Sequence, residues 1–504
     1  MRNRVFLATI MLMAAIQSAT AATIYVDSGI ASSCSDYAPS SRTCGNGSER
    51  AFSALDAGVS ASAAGDTVLV RGGTYGQLVV SASGTSEAPI LIQGYPGEQA
   101  VISGSGTVGL WIINRTNVAI SDLTVRNVEG FGRIEGSSNI RISRVDFSNA
   151  GASGTTGSLK FVRSTHNVVD SSSFDNGSDL LLLQDASDFN IVRNSQFGSA
   201  AHSLISIRCS SNNVIRGNIF DNPDQKAMEV FDCEGVSDAP VRLDSTKRNL
   251  IERNKFFGTA ASGQSNDYNA IQHGGQQTIV RFNDFAHNLG GGVNYQYYSD
   301  ESLYVNSNRL YNNTFYDNQC YAIIGQSGSS SRFYDNRVRN NLLYLNRNCS
   351  GSAVQVSIQD SSSVILTDNM QANSDPGFAG AANNNFSLVA SSPAVNAGSF
   401  LALAVGSSGG GTSITVDDAS WFYDGFGINM ETGDVIRIEG HQETARIIAI
   451  DYSRNVLTLD SPLVWSNGDG VHTYFSGNAP DQGAHELGMS LETRPKPPAD
   501  LQAN

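Results

Sequence analysis

Between residues 202 and 298 the sequence places polar side chains at regular positions that could bind a sugar and move protons. Four short segments there alternate apolar and polar residues, at 204–208, 227–231, 269–273 and 292–298. Amide and guanidinium groups can make paired hydrogen bonds to vicinal hydroxyls or to carboxylates, and aromatic rings can cover the apolar face of a sugar. The pattern therefore favours a surface that binds a polysaccharide.

The alternation also predicts which of these side chains face outward. Apolar residues at every second position would point into a core, so the residues between them would form an outer row. Arg208, Lys226 and His273 stand at the segment ends, and Tyr295 lies in the last segment. The predicted sugar-binding residues are His202, Ser206, Glu229, Gln272, Asn294, Gln296 and Tyr297.

A repeat of just over twenty residues positions these segments. Similar units begin at Asn117, Asn139, Asn167, Asn190, Asn213 and Asn249, with spacings of 22, 28, 23, 23 and 36 residues. Strand alternation at this period, without a helical period, is typical of a β-solenoid, in which each coil buries its apolar positions against its neighbours. Stacked coils are about 4.8 Å apart, so the outward residues of one sheet would form a straight ladder.

Recurring Asn and Phe residues support the same fold. Asn at the corners tolerates left-handed backbone angles and can form hydrogen-bonded ladders between coils. Phe174, Phe197, Phe220 and Phe256 occupy equivalent places and should stack inside. The insertion at 232–247, which lengthens one interval to 36 residues, should form a loop beside the outer row.

Three segments depart from the repeat. A helix is predicted from about Ala51 to Ala64, where it would cap the first coil. Short alternating strands with Gly-Asp turns predict a small β-barrel, which we expect to stabilise the end of the solenoid. The predicted organisation is a signal peptide at 1–21, a parallel β-helix at 22–399, an inserted β-barrel at 400–476, a closing β-helix segment at 477–490 and a flexible tail at 491–504.

Composition restricts the setting and the partners. Arg2 and Arg4 precede an apolar run and the small residues Ala19 to Ala21, a pattern typical of a secretory signal, so we expect a secreted or periplasmic protein without a membrane span. In an oxidising compartment six cysteines favour disulfides, and proximity suggests the pairs Cys34–Cys44, Cys209–Cys233 and Cys320–Cys349 among fifteen connectivities. The net charge of −15 argues against nucleic acid as a partner. We expect a monomer.

Several motifs resemble a known superfamily. The segments GDTVLVRGGTY and SGTSEAPILIQGYPGE, with the endings DPGF, SPAVNAG and DQGAHE, resemble secreted right-handed parallel β-helix proteins of the pectin-lyase-like superfamily. LISIRCSSNNVIRGNIF is similar to a coil of β-helical alginate and chondroitin lyases, in which a Lys acts as base and preceding acidic residues hold calcium. Arg208 falls at the position of that Lys, whereas Ala201, His202 and Ser203 stand where the acidic residues would be.

The resemblance and the candidate residues together favour a polysaccharide lyase that cleaves a polymer containing uronic acid. β-Elimination needs a group that neutralises the carboxylate, a base for the carbon-bound proton and an acid for the leaving oxygen. We assign Arg208 to the first role, Lys226 or His273 to the second, and Tyr295 or Tyr297 to the third.

Two other functions remain open from the sequence. A glycoside hydrolase needs two carboxyl groups across the scissile bond, and Glu229, Asp232, Glu234 and Asp267 are candidates without a fixed spacing. A glycan-binding protein would use the same outer row without cleavage. The sequence has no cofactor motif. Calcium could be held by Asp and Asn oxygen ligands, although no single cluster specifies it.

Overall fold

The computed structural model describes residues 21–151, 157–221, 223–231, 246–259, 268–296, 304–328, 330–429 and 431–489. Over these residues the chain is a right-handed parallel β-helix, which confirms the predicted fold class. Strands of successive coils pair in parallel and in register to form three sheets, called here the first, second and third sheets. The interior is a continuous core of Val, Ile, Leu and Phe.

The first sheet has fifteen strands, and all but the antiparallel edge strand at its N-terminal end continue the parallel stacking. In spatial order they are Cys34–Tyr37, Glu49–Phe52, Thr23–Val26, Thr67–Val70, Ile90–Gly94, Thr116–Ser121, Ser138–Ser143, Val168–Asp170, Ile191–Arg193, Val214–Arg216, Leu250–Glu252, Ile279–Arg281, Arg309–Tyr311, Asn336–Arg339 and Val364–Thr367.

The second and third sheets share two long strands, Ala100–Ile113 and Thr124–Glu135, which run through the corner between them. The other strands of the second sheet are Gly73–Tyr75, Asp146–Ala150, Ser173–Asp175, Gln196–Phe197, Ile219–Asp221, Lys255–Phe257, Asp284–Ala286, Thr314–Tyr316, Leu342–Tyr344 and Met370–Ala372. Those of the third sheet are Leu78–Val80, Leu159–Val162, Leu181–Gln184, Ser203–Arg208, Lys226–Phe231, Ile271–His273, Val293–Tyr295, Ile323–Gly325 and Val356–Ile358.

The aromatic column predicted from the sequence is present in the core. Phe174, Phe197, Phe220 and Phe256 stack with ring centroids 4.7 to 5.2 Å apart and are almost completely buried. Because this spacing matches the distance between coils, identical rings stack face to face with their neighbours. The prediction of a Phe stack is confirmed.

Asn side chains connect the coils at the corners. The Asn190 backbone N–H donates to Asn213 Oδ1 at 2.9 Å, and the Asn213 N–H donates to Asn249 Oδ1 at 2.9 Å. The left-handed backbone angles, however, belong to the residues just before these ladder positions, such as Asn212 (φ 56°) and Arg248 (φ 54°). The ladder Asn is thus used for its amide, which satisfies buried backbone donors between coils.

The N-terminal cap is shorter than the sequence predicts. The helix spans Leu55–Ser60, because Glu49–Phe52 instead forms a strand that pairs with Thr23–Val26. Leu55 and Val59 are buried against the first coil, so the helix covers the open end of the core. The cap is therefore made jointly by a strand and a single helical stretch.

Near the C-terminal end, a six-stranded antiparallel sheet interrupts the β-helix. Its strands are Ala402–Leu403, Gly409–Thr415, Val435–Ile438, Thr444–Asp451, Val456–Trp465 and Gly470–Thr473. A single bridge between Ala404 and Val416 brings its outer strands together as a small barrel. Trp421, in the short 3₁₀ helix Ala419–Trp421, packs against Tyr311 of the first sheet, so the barrel is docked on the outside of that sheet.

The remaining elements complete the chain. Two-stranded sheets join Val305–Asn306 with Phe333–Tyr334 and Phe378–Gly380 with Asn385–Leu388, and a 3₁₀ helix spans Ala381–Asn383. The predicted disulfides Cys34–Cys44 and Cys320–Cys349 are confirmed. Cys209 is also disulfide-bonded, while Cys233 lies outside the described residues. No helix in the described ranges has the length and apolar character needed to cross a membrane.

Candidate functional site

The residues of the predicted outer row pair with one another across neighbouring strands of the third sheet. Ser206 pairs with Glu229, Glu229 with Gln272, and Gln272 with Asn294 on four successive coils. We call these four residues the outer strip. Their neighbours Ile205, Met228, Ile271 and Val293 form the inner row and belong to the core. The alternation of the sequence thus brings residues almost ninety positions apart into one line.

The side chains of the outer strip are less exposed to solvent than polar side chains on an uncovered sheet would be. All four residues are buried, as is Gln296, whose Oε1 accepts a hydrogen bond from Gln272 Nε2. The accessible groups are at the sides of the strip, where 24% of the Arg208 side chain and 34% of the His202 side chain are exposed. A ligand would therefore meet Arg208 and His202 first.

Hydrogen bonds and ion pairs join the outer strip to its flanking cations. Arg208 Nη2 donates to Glu229 Oε2, and Ser206 Oγ contacts both Arg208 Nε (3.1 Å) and Glu229 Oε2 (3.2 Å). On the other side Lys226 Nζ donates to Glu229 Oε1 at 3.2 Å and to Gln272 Oε1 at 2.6 Å. One carboxylate thus fixes the positions of two cations.

Glu229 is ionised in this setting. Burial would raise the pKa of its carboxyl group, but the charges of Arg208 and Lys226 outweigh burial and lower the pKa to about 2. At neutral pH Glu229 therefore accepts hydrogen bonds and has no proton to donate. Its role is to hold Arg208 and Lys226 in place.

His202 is held by a carboxylate on the preceding coil. Its Nδ1 lies 2.7 Å from Asp179 Oδ1, and Asp179 Oδ1 also accepts the Ser203 backbone N–H at 3.1 Å. Because a carboxylate only accepts, Nδ1 donates in this contact, and the tautomer that does so has its lone pair at Nε2. This arrangement gives a partly exposed imidazole base oriented by a buried acid.

Two predicted catalytic residues are in the wrong place for catalysis. His273 pairs with Tyr295 in the inner row, and both side chains are fully buried. Burial lowers the pKa of the His273 imidazole to about 3 and raises the pKa of the Tyr295 hydroxyl. The expectation that these residues face a substrate is wrong, because each lies an even number of positions from an inward residue of its own strand.

Some of the remaining predicted residues lie at the site, and others lie outside the described residues. Ser206, Glu229, Gln272, Asn294 and Gln296 belong to or contact the outer strip, and His202 flanks it. Tyr297 lies outside the described residues, as do Asp232, Glu234 and Asp267.

Asp179 was not predicted. Its signal in the sequence is its distance of 23 residues from His202, one coil of the repeat. Among the described residues of this site, no group of donors could hold the predicted calcium ion. Within the described ranges, the group of three donors that could hold a metal is Cys34, Asp36 and Cys44, and the two cysteines are joined in a disulfide.

Comparisons with known proteins agree with the fold. The sequence pattern of the right handed beta helix region matches residues 98–256. No curated protein matches the chain. Among solved structures, pectate lyase Pel9A is similar, with a TM-score of 0.52 and 15% identity over 93% of this chain and 98% of that chain.

Two further structures show lower similarity. The PL6 family polysaccharide lyase Pedsa3628 from Pseudopedobacter saltans gives a TM-score of 0.42 and 14% identity over 63% of this chain and 90% of that chain. The GH136 lacto-N-biosidase from Eubacterium ramulus gives a TM-score of 0.44 and 12% identity over 69% of this chain and 67% of that chain. The chain thus shares its fold with pectate lyase Pel9A, and its chemistry must be argued from its own residues.

Proposed function

We propose that the protein is an exported polysaccharide lyase that cleaves a uronic-acid polymer by β-elimination beside the outer strip. The observation that carries the proposal is the pairing of Arg208 and Lys226 with the buried Glu229 carboxylate, next to a His202 imidazole that the buried Asp179 carboxylate orients. These residues supply a carboxylate-binding cation, an oriented base and a proton donor. Elimination needs these three functions and needs no nucleophile.

The reaction follows from the chemistry of these groups. Arg208 pairs with the uronate carboxylate and stabilises the negative charge that develops when the adjacent carbon loses its proton. His202 Nε2 takes that proton. The electrons of the broken C–H bond form a C=C bond, and the glycosidic C–O bond breaks. Lys226 protonates the leaving oxygen. Its ammonium group has three N–H donors and makes hydrogen bonds to Glu229 and Gln272 with two of them.

This assignment revises the roles predicted from the sequence. The base moves from Lys226 or His273 to His202, because the Lys226 ammonium group donates to two acceptors and His273 is inside the core. The acid moves from Tyr295 to Lys226, since the Tyr295 side chain belongs to the core, whereas the Lys226 ammonium group, with its side chain 10% exposed, lies against Glu229 and Gln272 of the outer strip. Arg208 keeps its predicted role.

The ionisation of Glu229 favours elimination over hydrolysis. A hydrolase needs one carboxyl group that stays protonated, and the pKa of Glu229 near 2 excludes it from that part. A binding protein would need the same Arg208 but would gain nothing from a His202 imidazole oriented by Asp179.

The test is incubation with alginate, pectin, glycosaminoglycans and neutral glycans. We expect unsaturated ends that absorb in the near ultraviolet from at least one acidic polymer. New reducing ends without that absorbance would indicate a hydrolase, and affinity without products would indicate a binding protein; either result would reject the proposal.

A matched pair of variants tests the base. We expect His202→Ala to lower kcat by about 10²–10⁴-fold, because it removes the group that accepts the proton. His287→Ala is the control: it deletes another His beside a carboxylate, Asp317 at 3.3 Å, at the end of the second sheet. Equal activity of the two variants would remove His202 from the reaction.

A further inference from the structure

We infer that a second sugar-binding subsite lies on the third sheet at Trp111, Arg133 and Lys160, and that it holds an acidic sugar residue of the polymer away from the reacting bond. The nature of its ligand rests on the proposed function. Its position does not, because the three side chains are aligned by the coil register alone. Trp111 pairs with Arg133, and Arg133 pairs with Lys160.

Trp111 faces outward between two core residues of its strand. Leu110 and Ile112, on either side of it, are completely buried, whereas Trp111 is 36% exposed. The other two tryptophans, Trp421 and Trp465, are buried. An indole face presented from a rigid sheet can cover the apolar face of a sugar ring at little entropic cost, since the strand already fixes its orientation.

A cleft of about 230 Å³ adjoins this ring and brings charged groups to it. Its lining includes Trp111, Glu129, Arg133 and Lys160. Arg133 bonds to Glu135 through Nε (2.7 Å) and Nη2 (2.6 Å), which fixes the plane of the guanidinium and leaves Nη1 for a ligand. Two cations next to an aromatic face suit a sugar that carries a carboxylate, and the Glu129 carboxylate can accept from sugar hydroxyls.

The subsite lies in the same line as the outer strip. From Lys160 the register continues through Leu182 to Ser206 and then to Glu229. Trp111 is therefore five coils from Glu229, roughly 24 Å at about 4.8 Å per coil. A polymer lying along the sheet can contact both places at once, while a disaccharide cannot. The subsite should therefore act on long substrates and leave short ones unaffected.

The experiment measures binding separately from cleavage. In a His202→Ala background, calorimetry gives the dissociation constants for hexamers and dimers of galacturonate, mannuronate and guluronate, with cellohexaose as the neutral probe. We expect Trp111→Ala to weaken the binding of an acidic hexamer about three- to tenfold and to leave dimer binding unchanged. Trp111→Phe should recover part of the loss. Tyr334→Ala, which removes an exposed aromatic ring from another sheet, is the control.

Tryptophan fluorescence supplies a second readout in the unmutated chain. Because Trp421 and Trp465 are buried, quenching by acrylamide reports chiefly on Trp111. An acidic hexamer should protect that ring, and cellohexaose should not.

The outcomes separate the two proposals. Hexamer binding that is unchanged in Trp111→Ala, or quenching that no acidic hexamer reduces, would overturn the subsite. If the wild-type chain binds acidic hexamers through Trp111 but yields no unsaturated ends, the lyase proposal fails and the subsite stands.

Discussion

Two of the ionic networks on the outer faces of the β-helix are built alike, one on the first sheet and one on the third. On the first sheet Glu252 lies between Arg216 and Arg281, and Arg281 also makes two hydrogen bonds to Asp434 of the barrel at 2.6 and 2.7 Å. On the third sheet Glu229 lies between Arg208 and Lys226. Each network is built on one buried glutamate with two cations.

What covers the two networks differs. The outward column of the first sheet is apolar beside its charges and packs with the barrel core; it consists of Val168, Ile191, Val214, Leu250 and Ile279. Arg281 is almost fully buried there. It pairs with Asp434 of the barrel, and Arg216 pairs with Glu431 of the barrel. On the third sheet the outer strip is polar, and Arg208 and His202 beside it keep exposed surface.

The comparison shows how to tell a structural network from a functional one on the same scaffold. In the first, burial would raise the pKa of Glu252, but Arg281 and Arg216 hold it well below its usual range, so the charge of Glu252 is matched inside the protein. In the second, the His202 imidazole and the Arg208 guanidinium keep exposed surface within reach of a ligand, while the Lys226 side chain is 10% exposed. The first should govern stability and the second activity.

Removing Arg281 should break the structural network and have the largest effect. Arg281→Ala leaves Glu252 and Asp434 buried with fewer partners, so we expect the free energy of unfolding to fall by about 3–5 kcal/mol in urea denaturation. Activity per folded molecule should be unchanged. Arg454→Ala, which removes a largely exposed side chain, should stay within about 0.5 kcal/mol of wild type. An Arg281→Ala chain of normal stability would refute the distinction.

Removing Arg208 should lower activity strongly and stability only slightly. We expect Arg208→Ala to lower kcat on the acidic polymer about 10²–10³-fold, or about 3–4 kcal/mol in activation free energy, because the carboxylate of the substrate loses its cation. The loss of stability should be smaller than for Arg281→Ala, since Lys226 still pairs with Glu229. Arg208→Lys should restore part of the activity. A variant that loses stability but not kcat would place Arg208 with the structural residues.

His273 sharpens the comparison because it belongs to the inner row. Its folded-state pKa of about 3 lies below the unfolded value near 6.5, so the unfolded chain binds the proton first as the pH falls. Stability is therefore full above pH 6.5 and falls between pH 6.5 and 3, by about 2 kcal/mol at pH 5.

His273→Leu should remove this part of the pH dependence in urea denaturation at pH 7 and pH 5, while kcat stays close to wild type. His287→Leu, at an exposed position, should leave the pH dependence intact. A large loss of kcat in His273→Leu would return His273 to the list of catalytic candidates.

The sequence predicts the fold well because the repeat is local information. Spacings of 23 residues, together with Phe and Asn at fixed places, determine coil length, core and register. The same parity rule that placed Ser206 and Glu229 outward also places His273 and Tyr295 inward, two positions from Ile271 and Val293. The error there came from treating strand ends as exposed.

Other features depend on what packs against a strand, which no local pattern records. The burial of Gln272 and Asn294 could not be predicted from their alternation. Asp179 precedes a run of leucines and becomes informative only when it is paired with His202 one coil later. The helix predicted from Ala51 to Ala64 is shortened because Glu49–Phe52 pairs as a strand.

The smallest expected effect concerns Ser206, which separates holding a cation from using it. Its hydroxyl donates to Glu229 Oε2 and accepts from Arg208 Nε, so it sets the direction of the guanidinium without meeting the substrate. We expect Ser206→Ala to cost about 1 kcal/mol, a fall in kcat of about fivefold, with little change in stability. Ser173→Ala, which deletes a hydroxyl bonded to Asp146 on the second sheet, serves as the control. If Ser206→Ala matched Arg208→Ala in its loss of kcat, the hydroxyl would itself contact the reacting sugar, and the functional network would extend one coil closer to Trp111.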